Sequence, residues 1–208
     1  LESSSAASDV YKRQDHGHEG QDPVVWLDAL DLPLFVYLEG SYAREGDLQA
    51  RRNRPDASEV EYLSAGLAPS RQAHRARRYP MMRYPWDRTE AALRAMADHS
   101  HGVMPELDYV NPETGADVLP TMGFTAMMLA AGLKTTPPRR SCSSAFHVVA
   151  GRGRTTIDGQ TVEWGPKDTF SAPVFASLSH EADEEAFLVR IHDRPLQEKL
   201  GYYEERDS

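Results

Sequence analysis

The chain has 208 residues, 40% of them hydrophobic and 26% charged, which is enough for one globular domain or one domain and part of another. Its formal charge of -9 repels phosphate backbones, so nucleic acid is not an expected partner. The single cysteine, Cys142, excludes a disulfide framework and a CxxC zinc site, and no apolar run reaches the roughly 18 residues of a membrane helix.

Residues 1–14, LESSSAASDVYKRQ, are rich in Ser and Ala and carry no apolar period. They read as a non-native or disordered segment, with a natural chain expected to begin further upstream. His16-Gly17-His18 follows, two histidines that a strand would aim to one side. Residues 23–38, PVVWLDALDLPLFVYL, are dense in β-branched and aromatic side chains and read as one or two short strands with a bend. An isolated strand pair is not stable in water, so this segment needs something to pack on.

The stretch 41–107 has the composition of a linker, with a helix near 88–101 on which Ala92, Leu93, Met96 and Ala97 form one face. Asp87 or Thr89 can cap it, and Gly102 ends it. Within the linker, Arg71 to Arg78 is a basic run that reads as a solvated face. Residues 108–208 are mainly β. Asp158-Gly159, between RTTI and QTVEW, is a hairpin signal, because a type I′ turn needs positive φ at both central positions. About six short strands at regular spacing predict a sandwich or barrel. RPLQEKLGYYEER closes the chain with a helical look, Leu196, Leu200 and Tyr203 falling on one side.

The phrase VVAGRGRTTIDGQTVEWGPKDTFSAP resembles a cupin barrel. Together DHGHEGQDPVVWLDALDLPL, LDYVNPETGADVLPTMG and HDRPLQEKLGYYEER are similar to the gentisate 1,2-dioxygenase family, which includes salicylate and 1-hydroxy-2-naphthoate dioxygenases. The resemblance implies a double-stranded β-helix, with residues 15–40 as the tail end of an N-terminal cupin, 41–107 as helical linker and 108–208 as a C-terminal cupin with a terminal helix: an incomplete bicupin. It implies an extradiol-type ring-cleaving dioxygenase of aromatic catabolism that forms homo-oligomers; the lack of a membrane-length apolar run and of a signal-peptide pattern gives the expectation of a cytoplasmic protein. The substrate is a small hydroxylated aromatic acid, gentisate first, cleaved with O2 at Fe(II).

In the family three histidines hold the iron, two as His-x-His and a third that opens a His-Asp-His-Gly motif. Here that motif reads Gln14-Asp15-His16-Gly17, so the third ligand position falls on Gln14, and no upstream His-x-His stands in the chain. The resemblance gives His16 a place on the substrate side of the pocket and Asp28 a place near it. His18 matches no functional position and reads as a loop histidine.

In the second cupin the His-x-His position falls on Arg139, Arg140 and Ser141, and His180 stands where a last ligand would be. Two guanidinium groups are poor company for a divalent cation, so no metal is expected in this chain, and an organic anion near Arg139 and Arg140 is the alternative occupant. His147 reads as a satisfied sheet residue and Cys142 as a structural thiol. A reading from a different class stands beside the enzyme: a non-catalytic single-cupin module that binds a small acidic ligand or assembles into oligomers.

Overall fold

The computed structural model describes residues 21, 23, 25, 27–40, 83–99, 104–112 and 114–208. The chain divides into two compact units, Leu1–Arg54 and Pro55–Ser208. In the first unit the expectation of strands over 23–38 is not met at its C-terminal end. Leu32–Tyr37 is a helix, α1, entered at Asp31 with proline in its first turn. Pro33 suits that place because its φ is already helical and its missing N–H has no partner there in any case. The Leu34 N–H donates to the Asp31 carbonyl at 3.0 Å, and Glu39, at φ 54°, turns the chain out. Apolar density without a clear period fits strand and helix equally, and the Asp-Leu-Pro start decides for helix. Leu32, Phe35, Val36, Tyr37 and Leu38 are all exposed.

The second unit begins, in the described residues, with α2, Trp86–His99. Its strands are β1 (Glu106–Asp108), β2 (Gly123–Leu129), β3 (Lys134–Thr135), β4 (Arg139–Arg140), β5 (Ser144–Ala150) and β6 (Gly153–Ile157). They continue with β7 (Gln160–Trp164), β8 (Thr169–Ala172), β9 (Leu178–Ala182) and β10 (Ala186–His192), and end, after α3 (Arg194–Leu200), with β11 (Glu205–Arg206). A five-stranded sheet has the order β1-β2-β10-β5-β8, and a four-stranded sheet the order β3-β9-β6-β7. Every pairing is antiparallel, and β11 pairs with β4 as a separate ribbon.

Alternation assigns the faces. Met127, Leu129, Phe146, Val148, Phe170 and Leu188 from the larger sheet share one buried cluster with Trp164, Leu178 and Ala182 from the smaller. The two sheets therefore close on a common interior in the cupin manner, with no hydrogen-bonded closure between them among the described strands. The opposite face of the larger sheet presents Ala126, Met128 and Phe187 to Leu93 of α2, with Trp86 and Ala97 packed alongside. Trp86 meets Phe187 edge-on at 5.9 Å between ring centroids. The helix face expected from the sequence holds at Leu93 and Ala97, but Ala92 is exposed and Trp86 takes the end of the stripe.

Asp158 and Gly159 have φ of 47° and 85°, which is the type I′ pattern expected between β6 and β7. The C-terminal helix is shorter than the pattern predicted. Gly201, at φ 76°, caps α3 in the left-handed region, so Tyr203 lies beyond it. The buried side of α3 is Pro195 and Gln197 rather than Leu196 and Leu200.

Gly123 is set by a close approach. A Cβ there would fall within the His192 imidazole. Gly123→Ala must displace a ring that is only 4% exposed and hydrogen-bonded to Thr125. Overpacking plus the lost bond is expected to cost about 2–4 kcal/mol, read as a lower urea midpoint at unchanged m-value.

Candidate functional site

The residues implied by the family resemblance separate into two groups. Gln14, His16 and His18 lie outside the described residues, as does the Arg71–Arg78 run. Asp28 is described and exposed. The other candidates belong to the second barrel.

His180 sits on β9 facing the interior and is fully buried. Its Nδ1 lies 2.8 Å from Thr155 Oγ1, directly across the β6–β9 register. Trp164 Nε1–H donates to the same hydroxyl at 2.9 Å. The hydroxyl thus accepts from tryptophan and shares a second hydrogen bond with the imidazole Nδ1. The ring packs against Phe146 at 5.3 Å, and Phe146 stacks on Phe170 at 5.0 Å. Burial lowers the His180 pKa to about 4, and the positive charges of Arg190 and Arg140 push the same way. The imidazole is neutral at physiological pH.

Sequence reasoning passed over a second cluster, on β10 and its neighbours. The strand AFLVRIH puts Arg190 and His192 on the same side as the core residue Leu188, which is the signal that could have found them. Arg190 stands between Thr125 of β2 and Phe146 of β5. Thr125 is the hub. Its hydroxyl donates to Asp108 Oδ1 at 2.6 Å and accepts from Arg190 Nη2 at 3.2 Å. His192 Nε2 lies 3.1 Å away and must be the donor, because the hydroxyl has spent its proton. Asp108 also receives Arg194 Nη2 at 2.9 Å. Burial opposes ionisation of Asp108, but the hydrogen bonds from Thr125 and Arg194 outweigh it and hold the carboxyl below its ordinary pKa. Burial, with Arg190 and Arg194, lowers His192 to about 3.

At the edge of this interior, Pro138, Arg140, Cys142, Ser144, Ala172 and Leu178 line a cavity of ≈ 10 Å³. That is room for about one water-sized body. Cys142 is buried, and burial raises its thiol pKa, which favours an inert thiol. His147 points to the outer face and meets Thr169 Oγ1 at 3.0 Å through Nδ1.

The interior does not fit a divalent metal. The charges that reach His180 are those of Arg190 and Arg140, which oppose a cation at its unpartnered Nε2. Among the described residues, no three His, Cys, Asp or Glu side chains gather at a metal-binding point. No helix of the described residues is long and apolar enough to cross a membrane. The described domain is thus a cupin-type barrel with a hydrogen-bonded polar core and no metal triad.

No family model matches the chain. A gentisate 1,2-dioxygenase of Ralstonia sp is 39% identical over 197 residues, covering 92% of this chain and 55% of that protein. A 5-aminosalicylate 1,2-dioxygenase of Comamonas sp is 33% identical, with 92% and 52% covered. A 1-hydroxy-2-naphthoate dioxygenase of Nocardioides sp. (strain KP7) is 31% identical, with 93% and 52% covered. Among solved structures, salicylate 1,2-dioxygenase of Pseudoaminobacter salicylatoxidans in adducts with gentisate superposes with a TM-score of 0.76 at 25% identity. That match covers 86% of this chain and 52% of the other. The chain is similar over about nine-tenths of its own length to these ring-cleaving dioxygenases, and it spans about half the length of the curated relatives it matches.

Proposed function

We propose that this chain is the C-terminal part of an Fe(II)-dependent, extradiol-type dioxygenase that cleaves the ring of a hydroxylated aromatic carboxylate, with gentisate as the substrate. The observation that carries the reading is similarity along 92% of the chain to a gentisate 1,2-dioxygenase at 39% identity. Gentisate is preferred because the relative at 39% carries that name, while the 5-aminosalicylate and 1-hydroxy-2-naphthoate relatives, at 33% and 31%, stand level with further gentisate dioxygenases at 31–32%. The same reading takes the enzyme as a cytoplasmic homo-oligomer.

Iron, when bound in the parent, supplies a Lewis-acidic centre for substrate and O2. Its place is not the barrel described above, whose arginines oppose it. In the proposal His16 hydrogen-bonds the substrate hydroxyl or carboxylate, and Asp28 orients polar groups beside it. The second barrel serves as the scaffold, its interior filled by the apolar cluster shared between the two sheets.

The test uses the full-length gene recovered from its source. The protein is loaded anaerobically with Fe(II), and O2 uptake is followed with gentisate against salicylate. Gentisate-dependent uptake is expected from the full-length protein and none from the 208-residue chain. No uptake by the loaded full-length protein with either acid overturns the reading. Within the restored enzyme, His16→Ala is expected to lower kcat by roughly 10²-fold while iron content by metal analysis stays constant. Loss of iron in that variant means that His16 is a ligand instead.

A further inference from the structure

The last residues of the chain are held apart from both sheets. Beyond α3, Gly201 turns the backbone at φ 76°. Among the described strands β11 then pairs with β4 alone, as Glu205↔Arg140 and Arg206↔Arg139. Pro137 and Pro138, which lack an N–H, stand directly before β4 and keep the ribbon short. Both β11 residues are exposed. Exposed backbone bonds with little apolar burial mark the low-stability end of a fold.

This ribbon runs along the rim of the cavity. Arg140 lines the cavity together with Cys142, Pro173 and Ala176. Its guanidinium donates to Glu205 Oε1 at 3.1 Å, and Tyr203 donates its hydroxyl to the same oxygen at 2.5 Å. Its carbonyl accepts the Phe175 N–H at 2.7 Å, and Arg206 lies over the Phe175 ring at 4.0 Å. Ser141 holds Glu204 twice: its N–H donates to the Glu204 carbonyl at 2.9 Å, and its hydroxyl accepts the Glu204 N–H at 2.8 Å. The proton of that hydroxyl goes to Gln197 of α3 at 2.7 Å, a bond that does not depend on the tail. Cys142, next in sequence, is 4% exposed and is the single cysteine of the chain. A charge on Cys142 is felt at Tyr203, so tail and thiol are neighbours.

We propose that residues 202–206 are a clasp that swings open at Gly201 while the barrel stays folded, and that this opening admits small solutes to Cys142 and the cavity beside it. The clasp is held by polar and cation–π contacts at the surface, whereas the barrel is held by the apolar cluster shared between its sheets. The two therefore differ in stability. The Ser141–Gln197 pair keeps the end of β4 attached to α3 when the tail leaves. The clasp is built within the second barrel and is independent of the catalytic reading.

The test uses Cys142 of the 208-residue chain as reporter and 4,4′-dithiodipyridine, a neutral thiol reagent, as probe. Labelling at constant pH is followed from zero urea up to the unfolding transition. The expected result is slow labelling whose urea slope is below about a third of the global m-value. Glu205→Gln and Arg206→Gln are each expected to speed labelling without urea roughly tenfold, and ending the chain after Gly201 roughly 100-fold. The two substitutions change the local charge in opposite directions, so a rise in both is not an effect on thiolate ionisation. Leu93→Val weakens the barrel on the far face of the larger sheet. It is expected to lower the urea midpoint and to leave labelling without urea unchanged. Where the shortened chain fails to fold, the two substitutions carry the test. A labelling slope equal to the global m-value, a rate unchanged by the clasp variants, or native labelling as fast as in the urea-unfolded chain overturns the proposal.

Discussion

Thr125→Val is expected to cost about 3–5 kcal/mol, a large share of the 5–15 kcal/mol by which a domain of this size is stable. The substitution keeps the shape and removes one hydroxyl. That hydroxyl is 1% exposed with its residue and ties three elements together. It donates to Asp108 of β1 at 2.6 Å and accepts from Arg190 at 3.2 Å and His192 at 3.1 Å, both on β10. A hydrogen bond to a charged group contributes about 1.5–3 kcal/mol, and each buried donor left without a partner costs about 1–3 kcal/mol. Asp108 keeps Arg194, which limits its share of the loss. Arg190 Nη2 and His192 Nε2 have no substitute partner in the core, and they account for the rest. Thr125→Ser, which retains the hydroxyl and loses one methyl, is expected to cost about 1 kcal/mol. Urea unfolding of the two variants separates the polar effect from the packing effect. Equal losses would show that the hub hydroxyl contributes nothing of its own.

How much of this was legible in the sequence depends on how local each feature is. The Asp158-Gly159 turn was readable because two adjacent residues meet its φ requirement by themselves. Leu93 was readable because helix periodicity singles it out within one turn or two. The run of short strands followed from punctuation and alternation. The helix at Leu32–Tyr37 was misread because its apolar residues carry no period and a proline fits both readings. The end of α3 was misread because Gly201 outweighs the apolar pattern that continues through it.

The polar core was not legible at all. Thr125 meets residues 65 and 67 positions away, and no local pattern announces such a meeting. Only the alternation in AFLVRIH gave a hint, an arginine and a histidine in a core-facing register. The family, by contrast, was legible from phrases spread along the whole chain, because resemblance draws on many weak matches at once. It pointed to His180 for its position, whereas the geometry assigns that residue to a hydrogen-bond chain through Thr155 to Trp164.

That chain makes stability pH-dependent in a window set by histidines rather than carboxylates. His180 and His192 have native pKa values of about 4 and about 3, both below the unfolded value of 6.5. Above about pH 6.5 both states hold the imidazoles neutral, and stability is complete. As pH falls below that value, the unfolded chain takes up protons and the native barrel refuses them. Stability is therefore lost on the acid side, at up to about 1.4 kcal/mol per pH unit for each histidine and about 3 kcal/mol per unit for the pair. The loss ends for His180 near its native value of about 4 and continues for His192 to about 3. Asp108, held below its model value of 3.8, adds a loss of the same sign only at more acid pH. The charges that face the two imidazoles, Arg190 and Arg140 for both and Arg194 and Asp108 for His192, stay fixed across the upper part of this window. Urea unfolding at steps between about pH 7 and pH 4.5 is expected to show this slope, with nearly two protons taken up per molecule unfolded. His180→Phe removes one titrating group and is expected to halve both the slope and the proton uptake. A stability that stays flat from about pH 6.5 down to pH 5 would mean that the imidazoles are hydrated in the native state and that the barrel interior is open to water.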